Sequence, residues 1–216
     1  MVAEQYHTRS DLPDVLSVFP LAGALLFPRW SLPLNIFEPR YLNMIDDAMA
    51  GNRLIGMVQA VGGNRALPDL ARVGCVGRVT SYSETDDGRY LISLTGICRF
   101  TILSENEIAT PYRQVTVSWS EFISDLVPAP ESDLPSREAL TEALSRYSKK
   151  NNMEVDWEAA ENAPIETLLN ALSAGCPFGV MEKQALMEAP SVAERAETLI
   201  MLLDMDLPGE DKSTLQ

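Results

Sequence analysis

The run from Tyr90 to Ile102 constrains this chain more than any other stretch. Tyr90, Ile92, Leu94, Cys98, Phe100 and Ile102 all stand at even positions, with Gly96 at the one gap. An apolar side chain at every second residue puts one face of a strand against a core. Gly96 predicts a bend or bulge within that strand, the device that lets a sheet curl. Just before it, "TDDGRY" predicts a hairpin, because Asp87-Gly88 supplies the positive φ a tight turn needs. "RVGCVGRVTSYSE" is then the partner strand, with Gly74 and Gly77 able to bend it in the same way.

Other strand-like runs surround this hairpin. "LSVFPLAGALLFP" offers short apolar runs broken by Pro20, Gly23 and Pro28, and "RLIGMVQAV" is another. "YRQVTVSWSEF" alternates Val115, Val117 and Trp119 with Thr116 and Ser118. Several short, glycine-bent strands predict a small barrel rather than a flat sheet.

After Phe122 the period changes. "SDLVPAPESDLPS" (124–136), with three prolines and three acids, reads as a linker or a long exposed connection. Four helices are expected beyond it. "SREALTEALSRYSKK" carries Leu140, Leu144 and Tyr147 at helical spacing, and "APIETLLNALSAG" stops at Gly175. "VMEKQALMEA" is the third; "SVAERAETLIMLLDM" opens with Ser191 and Glu194 in capping-box spacing. The expected fold is therefore α+β: a strand-rich unit over 14–123, a linker over 124–136, a helical subdomain over 137–206 and a flexible polar tail over 207–216.

"LFPRWSLPLNIFEPRYLNMIDDAM" (26–49) stands out within the first unit. Pro39 suits the first turn of a helix and Glu38 suits its positive end. Leu42, Ile45 and Met49 share a face, with Tyr41 and Ala48 alongside, and Gly51 is a stop. Pro28 and Pro33 keep the preceding segment extended and remove two ladder donors, so it is an edge or a loop. It still carries Phe27, Trp30, Leu32, Leu34, Ile36 and Phe37. Such a segment either folds under the helix or offers a groove to another molecule.

Catalytic machinery is not legible. His7, the sole histidine, lies in a polar segment, and no cluster of Cys and His has zinc spacing. There is no GxxxxGK[ST], so no phosphate-cradling loop, and "VGGNRALPD" reads as a turn. Ser145 and Ser148 near Lys149 and Lys150 read as helix surface, "EVDWEAAE" as a solvated helix start, and Glu38 with Arg40 as an ion pair or cap. No metal, cofactor or catalytic residue is expected. Cys75, Cys98 and Cys176 form no CxxC pair and read as buried free thiols, fitting a reducing cytoplasm. The first 14 residues carry no signal-peptide pattern, and no run approaches the roughly 18 apolar residues of a membrane span. The formal charge of −14 is uneven: residues 1–123 set ten arginines against thirteen acids, and residues 124–216 seven bases against eighteen. The second half repels nucleic acid and anionic membranes.

Together, "VFPLAGALLFPRWSLPLNIFEPRYLNMIDDAM", "LIGMVQAVG", "VGCVGRV", "DGRYLISLTGICRF" and "GCPFGVMEKQALMEAPSVAERAETLIMLL" resemble the N-terminal substrate-recognition domain of the Lon ATP-dependent protease, and more closely the stand-alone bacterial proteins built from that domain. The resemblance covers roughly 14–205. It implies a PUA-like β-barrel with a helix lodged against it, then a helical subdomain. Lon proper continues into an ATPase module and a Ser-Lys peptidase domain, and neither motif occurs in these residues. The resemblance thus implies a non-catalytic binder of unfolded or extended polypeptide segments, acting with a protease or a chaperone, with Trp30, Leu32, Pro33, Phe37 and Tyr41 as candidate contacts. Trp30 matches no part of the motif and rests on its apolar character alone. Glu38, Pro39, Arg40, Gly88 and Gly96 are the matching structural positions. RNA binding, by analogy with other PUA-like barrels, and peptidase activity are the competing readings.

Overall fold

A computed structural model describes residues 6–64 and 67–205. The expected tail, 207–216, and residues 65–66 of the expected turn lie outside the described residues. The chain is α+β. Among the described residues six strands run as β1 (Val15–Pro20), β2 (Ser31–Ile36), β3 (Leu54–Gly63), β4 (Pro68–Glu84), β5 (Tyr90–Glu105) and β6 (Arg113–Ser118). The α-helices of the described residues are α1 (Pro39–Ala50), α2 (Arg137–Asn151), α3 (Trp157–Asn162), α4 (Ile165–Gly175), α5 (Val180–Glu188) and α6 (Val192–Asp204).

The sheet is organised around β5. One side pairs with β4 along most of its length; the other pairs first with β2 and then with β6. β6 also pairs with β1, and β1 lies parallel to β3, which pairs with β4. The pairings β1–β3–β4–β5–β6–β1 therefore form a closed circuit, with β2 attached to β5 outside it. Leu16, Val18, Val76, Leu94, Phe100 and Val115 are buried in its core.

The β4–β5 register slips at Gly96: Val76 faces Cys98 while Gly77 faces Gly96, leaving Ile97 as the extra residue of a bulge. Gly96 serves a second purpose that alternation alone does not announce. A Cβ there would collide with the Phe27 carbonyl oxygen. The bare backbone lets the 27–30 segment lie on β5, where the Arg29 N–H donates to the Gly96 carbonyl (2.8 Å) and the Gly96 N–H donates to that of Trp30 (2.9 Å). At the hairpin tip Gly88 has φ 75°.

Helix α1 begins at Pro39 with Glu38 at its N-cap, but Glu38 makes no side-chain cap bond. Its buried face is Tyr41, Met44, Ile45 and Ala48. The expected face of Leu42, Ile45 and Met49 is thus rotated, and Leu42 and Met49 are only half-buried. Tyr41 belongs to the buried face, its ring meeting that of Phe19 edge-on at 4.4 Å. Asp46 and Asp47, on the far side, accept the hydroxyls of Tyr90 (3.0 Å) and Tyr112 (2.6 Å).

In the helical half a short helix, α3, joins the four that periodicity announces. Its six residues are capped by Asp156, whose carboxylate accepts the Ala159 N–H at 2.9 Å. Helix α5 is tied to the sheet by amides: Gln184 donates to the Val73 carbonyl (3.1 Å) and Gln59 to that of Val180 (3.1 Å). Lys183 reaches the carbonyls of Gly23 and Ala174 at 2.9 and 3.0 Å, and burial lowers its pKa.

Three arginines join the halves. Arg99, 1% exposed, donates twice to Asp125 (2.8 and 2.9 Å), lies 4.3 Å from the Phe122 ring and donates to the Met187 carbonyl at 3.1 Å. The segment after Phe122, expected to be exposed, thus starts with a buried Asp125 and Leu126. Arg29, at φ 64°, donates to Glu166 of α4 (2.5 Å) and to the Asp125 carbonyl (2.6 Å). Arg195 lies 4.2 Å from the Phe27 ring and donates to the Asn170 side chain at 2.9 Å. Burial first, and the neighbouring Arg99 second, hold its pKa below the usual arginine range.

Candidate functional site

The concavity best suited to a ligand opens where β2 runs into α1. Pro33 lies within β2, and Pro39, with Glu38 at the N-cap position, starts the helix three residues after the strand ends at Ile36, so Phe37 is left at the corner. Across from it, Pro20 ends β1 and the chain turns out through Leu21 and Ala22. Between these walls lies a cleft of about 430 Å³ lined by Phe19, Pro20, Leu21, Ala22, Pro33, Leu34, Asn35, Phe37, Glu38, Arg40, Tyr41, Ala60 and Pro68. Phe19, Pro20 and Tyr41 are buried, the two rings at 8% and 5% exposure, whereas Phe37 stands 56% exposed at the rim.

The charged groups at this rim are engaged with each other. Arg40 donates to Glu38 through Nε (3.0 Å) and Nη2 (2.9 Å), and its guanidinium lies 4.5 Å from the Tyr41 ring centroid. Burial raises the Tyr41 pKa, Arg40 opposes the rise, and the phenol stays neutral. Arg89, paired with Asp87 at 2.9 Å, lies 5.9 Å from the Phe37 ring. The cleft is thus a hydrophobic surface with one neutralised ion pair at its edge. Apolar side chains are what such a surface binds.

Of the five candidate contacts, Pro33, Phe37 and Tyr41 line this cleft. Trp30 and Leu32 do not; both are half-buried against the core. Sequence reasoning missed the opposite wall: Phe19 to Ala22, Ala60 and Pro68. Pro20 was visible as a strand breaker, but only the β1–β3 and β2–β5 pairings bring it opposite Pro33. A second groove, of about 410 Å³, shares Pro33, Leu34 and Asn35 and is otherwise lined by Ser81, Ser83, Ser93, Leu91 and Ile92. Its serines make it more polar than the first.

The candidate nucleophiles are held by burial or by local hydrogen bonds. Burial pushes the Cys75 thiol up to about 12 and that of Cys176 up to about 11, and raises that of Cys98 as well, so no reactive thiolate forms at neutral pH. The Ser148 hydroxyl donates to the Ser145 carbonyl at 3.1 Å. His7 is exposed, and its backbone N–H donates to Asp11. Among the described residues no group of three His, Cys, Asp or Glu side chains is positioned to hold a metal, and no helix is long and apolar enough to cross a membrane.

Known proteins agree with this architecture. The chain is 25% identical to a Lon protease of Flavobacterium johnsoniae over 211 residues, which is 94% of this chain and 26% of that protein. It is 32% identical to a Lon protease of Desulfosudis oleivorans over 110 residues, 49% of this chain and 13% of that protein. It therefore spans about a quarter or less of the length of these curated relatives. The crystal structure of a Lon N-terminal domain protein from Xanthomonas campestris matches its fold with a TM-score of 0.58 at 21% identity, covering 87% of this chain and 97% of that one. The N-terminal domain of a Mycobacterium avium complex Lon protease matches with a TM-score of 0.59 at 15% identity, covering 89% and 100%. The family model for the ATP-dependent protease La (LON) substrate-binding domain matches residues 15–205. With its strands, its helices and nearly its whole described length accounted for, the chain belongs to the Lon substrate-binding domain family.

Proposed function

We propose that this chain is a non-catalytic polypeptide-binding module that grips extended apolar segments of unfolded proteins in the cleft between β1 and β2. Phe37 carries the reading: a large aromatic ring, 56% exposed, at the lip of an apolar cleft in a substrate-binding family. Pro33, Phe37 and Tyr41 are the contacts retained from the sequence, joined by Phe19, Pro20 and Leu21; Trp30 and Leu32 brace the strand behind them. The closed strand circuit supports describing the sheet as a PUA-like barrel. The division into 14–123 and 137–206, joined by 124–136, belongs to the same reading, as does work beside a protease or chaperone in the cytoplasm.

The test is fluorescence anisotropy of a labelled apolar peptide. If a ligand covers about half of the exposed Phe37 ring, removing that ring costs about 1–1.5 kcal/mol. Phe37→Ser then weakens binding about tenfold. Leu103→Ser, at a side chain that is 61% exposed and outside the cleft, leaves binding unchanged. Equal loss in both variants refutes the assignment of the cleft. Cleavage of casein by the pure protein without ATP refutes the non-catalytic reading, and a gel shift with RNA at low salt favours the nucleic-acid alternative.

A further inference from the structure

The outer edge of β2 forms one wall of the cleft, so a bound polypeptide meets main chain as well as side chains. Strand addition to that edge is the obvious mode of capture. The ladder determines which groups are available for it. The Gly96 N–H donates to the Trp30 carbonyl and the Gly96 carbonyl accepts from the Arg29 N–H, so Arg29 and Trp30 together oppose Gly96 as a bulge that opens the ladder on a bonded position. The register continues as Ser31–Thr95, Leu32–Leu94, Pro33–Ser93 and Leu34–Ile92. Bonded and non-bonded pairs alternate in an antiparallel ladder. Leu32, Leu34 and Ile36 therefore bond to β5, and Ser31, Pro33 and Asn35 direct their main-chain groups outward. Pro33 has no N–H, so the central donor of the outward edge is missing.

The remaining walls repeat the pattern. Pro20 and Pro68 also lack an N–H, and the Pro68 carbonyl accepts from Arg113 at 2.5 Å. The Leu21 N–H donates to the Val58 carbonyl (2.9 Å), and the Tyr41 N–H to that of Glu38 (2.9 Å). Prolines on three sides leave a surface that is apolar in its side chains and poor in main-chain donors. We infer that the cleft captures polypeptide through side-chain burial alone, without strand addition to β2, and so accepts apolar segments containing proline. This rests on the reading of the cleft as a polypeptide site.

The experiment uses the full chain and three peptides: an apolar parent decapeptide, and two versions carrying backbone N-methyl groups at alternate residues, one on the odd and one on the even positions. The two methylated peptides share composition and stiffness and differ only in which edge is blocked. Strand addition would tolerate one and lose two or more hydrogen bonds with the other, a split of about tenfold or more. Side-chain capture predicts that the two bind within about threefold of each other, because neither edge is bonded. A larger split overturns the inference while leaving the cleft assignment standing. Failure of the parent peptide to bind overturns the cleft assignment, and the inference with it.

Discussion

Replacing Gly96 with alanine tests whether the 27–30 segment is held on β5 by close backbone approach. The added Cβ would overlap the Phe27 carbonyl oxygen and lie 2.7 Å from the Phe27 carbonyl carbon. Both are backbone atoms, so no rotamer change relieves the clash, and the segment must lift. Lifting breaks two hydrogen bonds, Arg29 to Gly96 and Gly96 to Trp30, each worth about 0.5–1.5 kcal/mol. It also draws Phe27, fully buried, part of the way out of the core, against a full burial value of about 1.5–3 kcal/mol. The expected loss is about 3–5 kcal/mol, near the top of what single substitutions cost. Urea unfolding followed by tryptophan fluorescence measures it. With a slope of about 2–3 kcal/mol per molar, the midpoint falls by more than about 1 M. Gly175→Ala is the control, because nothing lies within 4 Å of the Cβ it adds; it should stay within about 0.5 kcal/mol of the parent. If Gly96→Ala also stays within 1 kcal/mol, the close-approach argument fails.

Asp125→Ala strands the Arg99 guanidinium in an interior where it is 1% exposed; breaking a buried pair from one side costs about 3–5 kcal/mol, whereas Asp125→Asn, which keeps an acceptor, loses less, and calorimetry of the two variants that gives equal losses refutes the reasoning. The Cys176 thiol, raised by burial to about 11, gives a signed pH dependence. Its unfolded counterpart ionises near ~8.5, so its contribution is complete below that pH and is lost as pH rises toward 11. The stability of the parent relative to Cys176→Ala therefore falls between pH 8.5 and 11 in urea titrations, and a difference that is flat or grows over this range refutes the assignment.

The strands of this fold were legible because their side-chain alternation is strong. The even-numbered run of β5 marks its inward face, and Asp87-Gly88 marks the hairpin. The helices of the second half were legible for the same kind of reason, with α3 read only as a solvated helix start in "EVDWEAAE", because six residues cannot establish a period. The site was half legible. Proline and aromatic density flagged 26–41, yet in the residues themselves nothing separates Phe37, which stands out, from Tyr41, which turns in onto Phe19. That difference depends on where β1 ends. The buried arginines were not legible at all. Arg99 interrupts no pattern, because odd positions on a strand are expected to be polar, and its burial comes from α5 and the 123–126 turn covering the outer face of β5.

The place of β1 in the circuit also sets the order in which the molecule is completed. Its two neighbours are β3, near residue 57, and β6, near residue 115. As the chain emerges from the ribosome, β1 keeps one edge open until β6, which begins at Arg113, has followed it. Arg99 waits longer still, since the Met187 carbonyl that closes its coordination lies 88 residues further along the chain. Contacts this distant in sequence slow folding, so the newborn chain carries β1 as a greasy strand with a bare edge, and whatever shields nascent proteins has a long task there.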